Sequence, residues 1–250
     1  MSEINWNYIK FRASSWGSLL TEPVTKAAKE AGELSVTCQK ELIKIYNSVV
    51  YGRYQDIVTA MMDKGKQVEP ESIDLFSKVE GRLFYKNEDQ LENEWFCGHP
   101  DIFTGDNIEN ASEVHDIKSS WSIHTFTPKL IEAVDKGYEA QLNCYFSLTG
   151  AKSGSIAYCL VSAPPNIIEG EKRKLLYAMN VISEESPEYK RACEKLEREM
   201  IFEDIDYRER VIKQPVPRND ELIEKMKAKV PIFRTWLQNF HEKHMNLYPK

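Results

Sequence analysis

The chain has 250 residues, and 39 acidic against 33 basic side chains give it a formal net charge of -6. Its content of 42% apolar and 11% aromatic residues excludes a disordered or fibrous protein. The acidic balance argues against a protein that coats nucleic acid or an anionic membrane by bulk charge, but it leaves room for a nucleic-acid enzyme with a local basic groove.

The first ten residues lack the apolar region that is typical of a signal peptide. No stretch approaches the ~18 uncharged residues that a membrane span needs. We therefore expect a cytoplasmic protein without a membrane partner. The five cysteines include no C-x-x-C pair, which predicts reduced thiols and argues against a disulfide framework, a zinc site or an iron–sulfur cluster.

The first 80 residues show mainly helical spacing of apolar side chains. It predicts a short loop and helix at 11–20, an amphipathic helix from Glu33 to about Gly52, and helical stretches through Ile57, Met61 and Met62 and through Glu69, Ile73 and Phe76. The pattern then changes to short, turn-bounded segments that favour β-strands, at 82–85, 94–98 and 113–119.

The second half of the chain predicts a helix at 130–148, a strand at 155–162, a charged helical segment at 171–200, a strand at 209–214 that stops before Pro215, and a last helix at 219–245. With no internal repeat and no linker, the whole chain (1–250) is interpreted as one domain. The order of elements predicts an α/β fold in which a mixed central sheet is flanked by helices.

The most informative feature lies in the predicted strands. Gly98-His99-Pro100-Asp101 is followed by Asp116-Ile117-Lys118. Side chains alternate along a strand, so Asp116 and Lys118 face the same side, roughly 6–7 Å apart, while Ile117 faces the core. The turn formers Gly105 and Asn107 allow a hairpin that brings Asp101 beside Asp116.

Two carboxylates and an ammonium on one surface suit metal-assisted hydrolysis. Hard oxygen ligands select Mg²⁺ or Mn²⁺, and Lys118 can orient a water molecule or stabilise charge on a phosphate. By itself D-x-K is a common tripeptide that usually forms a surface salt bridge, so its surroundings decide between the two interpretations.

Those surroundings resemble the core of the PD-(D/E)XK nuclease superfamily: P-D, a turn, D-x-K on a strand, and a helix. Gln141 and Tyr145 form a Q-x-x-x-Y pattern on that helix, which resembles the recombination-exonuclease branch. Upstream, the segment 64–69 resembles the G-x-x-x-E helix of lambda-exonuclease-like (YqaJ-type) phage proteins, and 12–15 resembles their Arg/Ser segment. The resemblance covers about 12–163.

The resemblance implies a set of site residues. Asp101, Asp116, Lys118, Glu69 and Gln141 would be catalytic. One or two Mg²⁺ or Mn²⁺ ions would be bound by Asp101, Asp116, Glu69 and the backbone carbonyl of Ile117. Arg12, Ser14, Ser15 and Tyr145 would bind the substrate, with the Arg/Ser segment at the 5′-terminal phosphate.

The sequence also departs from the family pattern. Ile102 stands where the family often has glycine, and Asp116 is the shorter variant of the usual acid. The helical extension at about 171–250 matches no motif and could form an oligomer interface, a DNA clamp or packing helices. Local charges, namely Arg12, Lys64, Lys66 and Lys118, are expected to hold DNA.

The leading hypothesis is therefore a metal-dependent DNA exonuclease of the phage recombination type, acting 5′ to 3′ on duplex ends. The resemblance implies a single-strand annealing protein as partner and a homo-oligomer, such as a ring-like trimer. Two alternatives stay open: an endonuclease on the same core, and a catalytically dead DNA-binding or assembly protein. The CRISPR adaptation nucleases share the Q-x-x-x-Y helix but carry an iron–sulfur cluster, against which the scattered cysteines argue.

Overall fold

The computed structural model describes residues 4–54, 59–181 and 183–247. The helices are α1 (Trp16–Leu19), α2 (Lys26–Glu30), α3 (Val36–Tyr51), α4 (Ala60–Gln67), α5 (Glu69–Glu80), α6 (Ile123–Phe126), α7 (Lys136–Thr149), α8 (Pro165–Ala178), α9 (Pro187–Met200) and α10 (Asp220–Asn246). The strands are β1 (Phe11–Arg12), β2 (Leu91–Glu92), β3 (Phe96–Gly98), β4 (Ile102–Thr104), β5 (Glu113–Ser119), β6 (Ser153–Cys159) and β7 (Val211–Pro217).

The strands form two mixed sheets. The larger sheet has the order β4-β5-β6-β7, with β5 and β6 parallel and both outer pairs antiparallel. The smaller has the order β1-β3-β2, with β1 parallel and β2 antiparallel to β3. The predicted α/β fold class with a mixed sheet is confirmed, although the strand predicted at 94–98 belongs to the smaller sheet. The hairpin that faces β5 is formed by β4 instead.

Strand β5 separates two apolar clusters, as the alternation of its side chains predicts. Val114 lies in the main core with residues of α7 such as Leu142 and Phe146. Ile117 belongs to a second cluster with Phe76 of α5. The face of β5 that carries Val114 also carries Asp116 and Lys118, so helix α7 covers the polar site from one side.

Helix α7 is fixed at both ends by its sequence. Asp135 accepts hydrogen bonds from the backbone nitrogens of Gly137 (2.8 Å) and Tyr138 (3.2 Å), which caps the first turn. Gly150 ends the helix with φ +80°, a left-handed conformation that favours glycine. A Cβ on Gly17 of α1 would lie 3.0 Å from the Cα of Gly137, so the two helices approach through paired glycines.

Strand β7 is longer than predicted, because it continues through Pro215 and Pro217. It is an edge strand paired with β6 alone, so a missing proline N–H on its open side breaks no hydrogen bond of the sheet.

Two other predictions differ from the structure. The segment 82–85 is not a strand: its Phe84 backbone nitrogen donates instead to Ser77 Oγ at 3.0 Å. The helix predicted from residue 130 begins at Lys136. Ile57 lies outside the described residues. Within those residues no helix is long and apolar enough to cross a membrane.

Candidate active site

Asp101 and Asp116 lie opposite each other at the end of the β4–β5 ladder. Ile102 pairs with His115 in that antiparallel register, so the preceding Asp101 comes opposite Asp116. The predicted approach of the two aspartates is therefore present. Asp101 Oδ2 accepts a hydrogen bond of 2.6 Å from the backbone nitrogen of Ile117 and so continues the ladder where β4 ends.

That hydrogen bond also sets the direction of the Ile117 carbonyl. The N–H and C=O groups of one strand residue point to the same side of the strand. Because the Ile117 N–H points to Asp101, its carbonyl points to the same side, beyond Ile102, the first residue of β4. A hard cation at Asp101 would have this carbonyl as a neighbour.

Gln141 of α7 holds Asp116 through a hydrogen bond. Its Nε2 donates to Asp116 Oδ1 at 2.9 Å and contacts the Tyr145 hydroxyl at 2.9 Å. Asp116 is almost fully buried, and its Oδ2 forms an ion pair with Lys118 Nζ and, within the described ranges, no further hydrogen bond. The Q-x-x-x-Y pattern thus places both of its side chains at the D-x-K strand, with Tyr145 buried behind Gln141.

Lys118 is surrounded by acids and an aromatic ring. Its Nζ pairs with Asp116 and lies 5.0 Å from the centroid of the Tyr138 ring. Burial alone would lower the pKa of Lys118, but Asp116 and Asp101 outweigh it and raise the pKa. The ammonium therefore remains charged at neutral and alkaline pH.

The surroundings of Asp101, unlike those of Lys118, disfavour its charged form. Burial, followed by the charge of Asp116, raises the pKa of Asp101 to about 7, while Lys118 and the Ile117 N–H offset only part of this effect. Glu69 adds to the rise, which means that its carboxylate also lies within electrostatic range.

Glu69 begins α5 and faces the same cavity, but its carboxylate forms an ion pair of 2.9 Å with Lys86. The two residues have no sequence signal that joins them, because Lys86 lies in an irregular segment. Its distance of 17 positions from Glu69 is spanned only by the tertiary structure.

The Arg/Ser segment approaches the site through the smaller sheet. Arg12 lies in β1, pairs in register with Cys97 of β3 and is exposed. Ser14 is exposed and Ser15 is buried, and Ser15 makes no side-chain cap to α1 although it occupies the N-cap position. A Cβ on Gly98 would lie 2.7 Å from the Tyr145 ring and 3.1 Å from Ala13, so this segment meets α7 at Gly98.

A cavity of about 510 Å³ opens beside the acids. Its lining includes Glu69, Asp101, Ile117, Lys118, Lys66, Trp121, Tyr138 and Tyr158. The substrate-binding residues predicted in the Arg/Ser segment do not line it. A larger cavity of about 730 Å³ lies near Trp6 and His241, but it contains no pair of aspartates.

The donor chemistry at Asp101 and Asp116 fits a hard divalent cation. The buried Asp116 and the half-buried Asp101 carry carboxylates that repel each other, and a dication would offset that repulsion more fully than the single ammonium of Lys118. Side chains alone do not complete the ligand shell: among the described residues, no three His, Cys, Asp or Glu groups converge on one ion position. The Ile117 carbonyl and water would have to supply the remaining ligands, and Glu69 would have to leave Lys86 to join them.

Sequence reasoning missed Asn87, which holds the loop that carries Asp101. The buried Asn87 side chain donates to the Pro100 carbonyl at 3.0 Å, and its backbone nitrogen donates to the Asp101 carbonyl at 2.8 Å. A lone asparagine in a loop gives no periodic signal. The prediction that Lys64 helps to hold DNA is wrong, because the side chain of Lys64 is fully buried.

The whole chain is similar to solved exonuclease structures. A phage-related exonuclease from Haemophilus somnus 129PT superposes with a TM-score of 0.72 at 24% sequence identity, covering 95% of this chain and 97% of that chain. An alkaline exonuclease from Laribacter hongkongensis gives a TM-score of 0.60 at 15% identity, with 96% and 95% covered. Its complex with dAMP gives 0.59 at 16% identity, with 95% and 92% covered.

The chain shares the fold of these structures. The similarity agrees with the resemblance drawn from the motifs, and it extends over nearly the full length of both chains, so most of the charged helices after residue 170 belong to the shared fold. No protein-family model and no curated protein matches the sequence.

Proposed function

We propose that the chain is a divalent-metal-dependent DNA exonuclease that hydrolyses phosphodiester bonds at duplex ends in the 5′-to-3′ direction. The observation that carries the proposal is the meeting of Asp101, Asp116 and Lys118 beside one open cavity. It is supported by a fold that two exonucleases share over nearly their whole length.

In this proposal Asp101, Asp116 and the Ile117 carbonyl hold one or two Mg²⁺ or Mn²⁺ ions, with Glu69 as a direct or water-mediated ligand. The bound metal would polarise a phosphoryl oxygen and lower the pKa of a water molecule. Lys118 is charged and hydrogen-bond competent, so it orients the attacking water or stabilises negative charge on the phosphate. Gln141 keeps Asp116 in place for both tasks.

The direction of digestion depends on the Arg/Ser segment. Arg12 is exposed on β1 and can bind a terminal phosphate with two parallel hydrogen bonds, with Ser14 and Ser15 beside it. Tyr145 contributes to substrate binding through its contact with Gln141. The Laribacter hongkongensis enzyme forms a complex with dAMP, and a nucleotide of this kind is the product that the proposed reaction would release.

The biological setting rests on the motif resemblance. We place the enzyme in phage-type recombination in the cytoplasm of a bacterial or phage-infected cell, together with a single-strand annealing protein. A ring-like homotrimer would let the chain encircle its DNA substrate.

The test is digestion of linear duplex DNA with 5′-phosphate or 5′-hydroxyl ends, with and without Mg²⁺ or Mn²⁺. We expect metal-dependent release of nucleotides, faster from 5′-phosphate ends, and its loss in Asp116→Asn. A closed circular duplex is the control: an exonuclease leaves it intact, whereas cutting would identify an endonuclease. DNA binding without metal binding in calorimetry would instead identify a catalytically dead binding protein.

A further inference from the structure

Lys64 of α4 is buried, and among the described residues no carboxylate forms an ion pair with it. Among the described residues it is the only lysine or arginine that is buried, and its exposed fraction is 0%. Burying an ammonium is costly unless it is paired and hydrogen-bonded. Burial lowers the pKa of Lys64 to about 8. Because burial of this ammonium is unfavourable, the contacts of Lys64 have to compensate for it.

The partners of Lys64 are backbone carbonyls and rings at the edge of the site. Its Nζ donates to the Ser120 carbonyl at 2.7 Å and the Trp121 carbonyl at 3.2 Å. It also lies 5.9 Å from the centroid of the Trp121 ring and 5.3 Å from that of Phe202. Ser120 comes two residues after Lys118, and Trp121 lines the cavity.

Three parts of the molecule meet at this ammonium. The first is α4, whose exposed Met61, Met62 and Lys66 line one wall of the cavity. The second is the chain that leaves β5 at Ser120.

The third part is the α8–α9 hairpin. Trp121 packs against the apolar cluster of this hairpin, which includes Ile167 of α8 and Met200 of α9. In the same cluster the Ala163 backbone nitrogen donates to the Met200 carbonyl at 2.9 Å. The backbone nitrogen of Phe202 donates to Ser162 Oγ at 2.8 Å, which holds the Phe202 ring over Lys64.

Lys118 is anchored independently of Lys64. It pairs with Asp116, and β5 remains in register with β6 as far as Ser119 and Cys159. The Ser120 backbone nitrogen then donates to the Cys159 carbonyl at 2.8 Å. Loss of Lys64 should therefore free the chain from Trp121 onward, and with it the cavity wall, while the reacting groups keep their places.

We propose that Lys64 is a positioning residue that fastens the Ser120–Trp121 turn to α4 and to the α8–α9 hairpin, and so sets the width of the cavity into which DNA enters. This inference rests on the proposed nuclease function for its kinetic consequence, but not for its structural one. It also assigns a task to part of the charged extension, which supports the cavity wall through Trp121 and Phe202.

The experiment compares Lys64→Met, which keeps the aliphatic stem but removes charge and donors, with the wild type. The matched control is Lys78→Met, because Lys78 lies 4.0 Å from the centroid of the Tyr207 ring but is exposed and outside the cavity. The first readout is backbone hydrogen exchange. In Lys64→Met the segment 121–126 should exchange at least about tenfold faster, while 113–119, which stays paired with β6, and the control keep wild-type rates.

The second readout is the kinetics of digestion. KM for linear duplex DNA should rise about tenfold in Lys64→Met while kcat stays within about threefold, because the wall and not the reacting groups has moved. Lys64→Gln retains a donor and should fall between the two. Wild-type exchange in segment 121–126, or an equal fall of kcat in Lys64→Met, would overturn the proposal, as would loss of cooperative folding in both variants. A wild-type protein that digests no DNA would refute the nuclease function alone, since exchange still decides the role of Lys64.

Discussion

Lys118 and Lys64 are two ammonium groups beside one cavity, and their surroundings differ completely. Lys118 has Asp116 and Asp101 beside it, and these carboxylates raise its pKa. In the part of the chain that the structure describes, the partners of Lys64 are carbonyl oxygens and aromatic rings, and burial lowers its pKa to about 8. Carboxylates hold a charge ready for chemistry. At Lys64, the ammonium instead donates hydrogen bonds to backbone carbonyls and so holds the Ser120–Trp121 turn in place.

The largest effect is expected when the ammonium of Lys118 is removed. Lys118→Met should lower kcat for duplex digestion by about a thousandfold, because among the described residues no other cation pairs with the two aspartates. The measurement is nucleotide release at saturating DNA and Mg²⁺, with Lys78→Met as the unaffected control. Retention of wild-type kcat would remove Lys118 from the reaction.

The second test uses the dependence of stability on pH. The folded pKa of Lys64, about 8, lies below its ordinary 10.5, so the unfolded chain binds more protons between these values. Wild-type stability relative to Lys64→Met should therefore rise as pH increases from 8 to 10.5, by about 3 kcal/mol at most, and this gain should be lost as pH falls back to 8.

Urea unfolding of both proteins across this range measures that difference, and the difference cancels the titration of groups that they share. Among the described residues no carboxylate forms an ion pair with Lys64, so burial is the only cause of the shift. A constant difference from about pH 7 to 10.5 would contradict the low pKa.

Gln141 tests whether the carboxylate next to Lys118 must be held rigidly. Gln141→Leu removes the hydrogen bond to Asp116 Oδ1 and should lower activity or metal affinity about 10- to 100-fold without unfolding the chain. Calorimetry with Mn²⁺ and digestion kinetics would separate the two effects. If both match the wild type, Lys118 alone positions Asp116.

The smallest expected effect concerns packing without charge. Gly98→Ala would place a Cβ 2.7 Å from the Tyr145 ring and should destabilise the protein by about 1–3 kcal/mol. Gly170→Ala, in helix α8 with open space around it, is the opposite control and should stabilise by about 0.5–1 kcal/mol. Thermal melting measures both changes. A melting temperature of Gly98→Ala equal to that of the wild type would show that the Tyr145 ring can shift aside.

The sequence predicted those parts of the site in which the residues lie close together along the chain. The strand period put Asp116 and Lys118 on one face, the Gly105 turn allowed Asp101 to return beside them, and the helical period put Gln141 and Tyr145 on one side of α7. These relations span short segments with regular spacing, so a residue pattern contains them.

The partners that complete the site are distant and irregular. Lys86 reaches Glu69 across 17 positions, and Asn87 holds the Asp101 loop from a segment without regular structure. Lys64 lies in a polar helix, where its charge predicts exposure and the structure buries it. Nothing in their spacing specifies these contacts, because they depend on how separate elements pack.

Residue patterns were enough to predict the longer helices, several strands, the α/β class and the aspartates and lysine at the centre, because helical and strand periods and turn residues act over a few positions. The short helices α2 and α6 were not predicted. Three features became visible only when the chain was folded: the strands divide into two sheets, an edge strand accepts Pro215 and Pro217, and Lys64 turns inward. These features depend on which backbone groups find hydrogen-bond partners once distant segments pack together. A buried charge or a proline is tolerated where that packing leaves no polar group without a hydrogen bond.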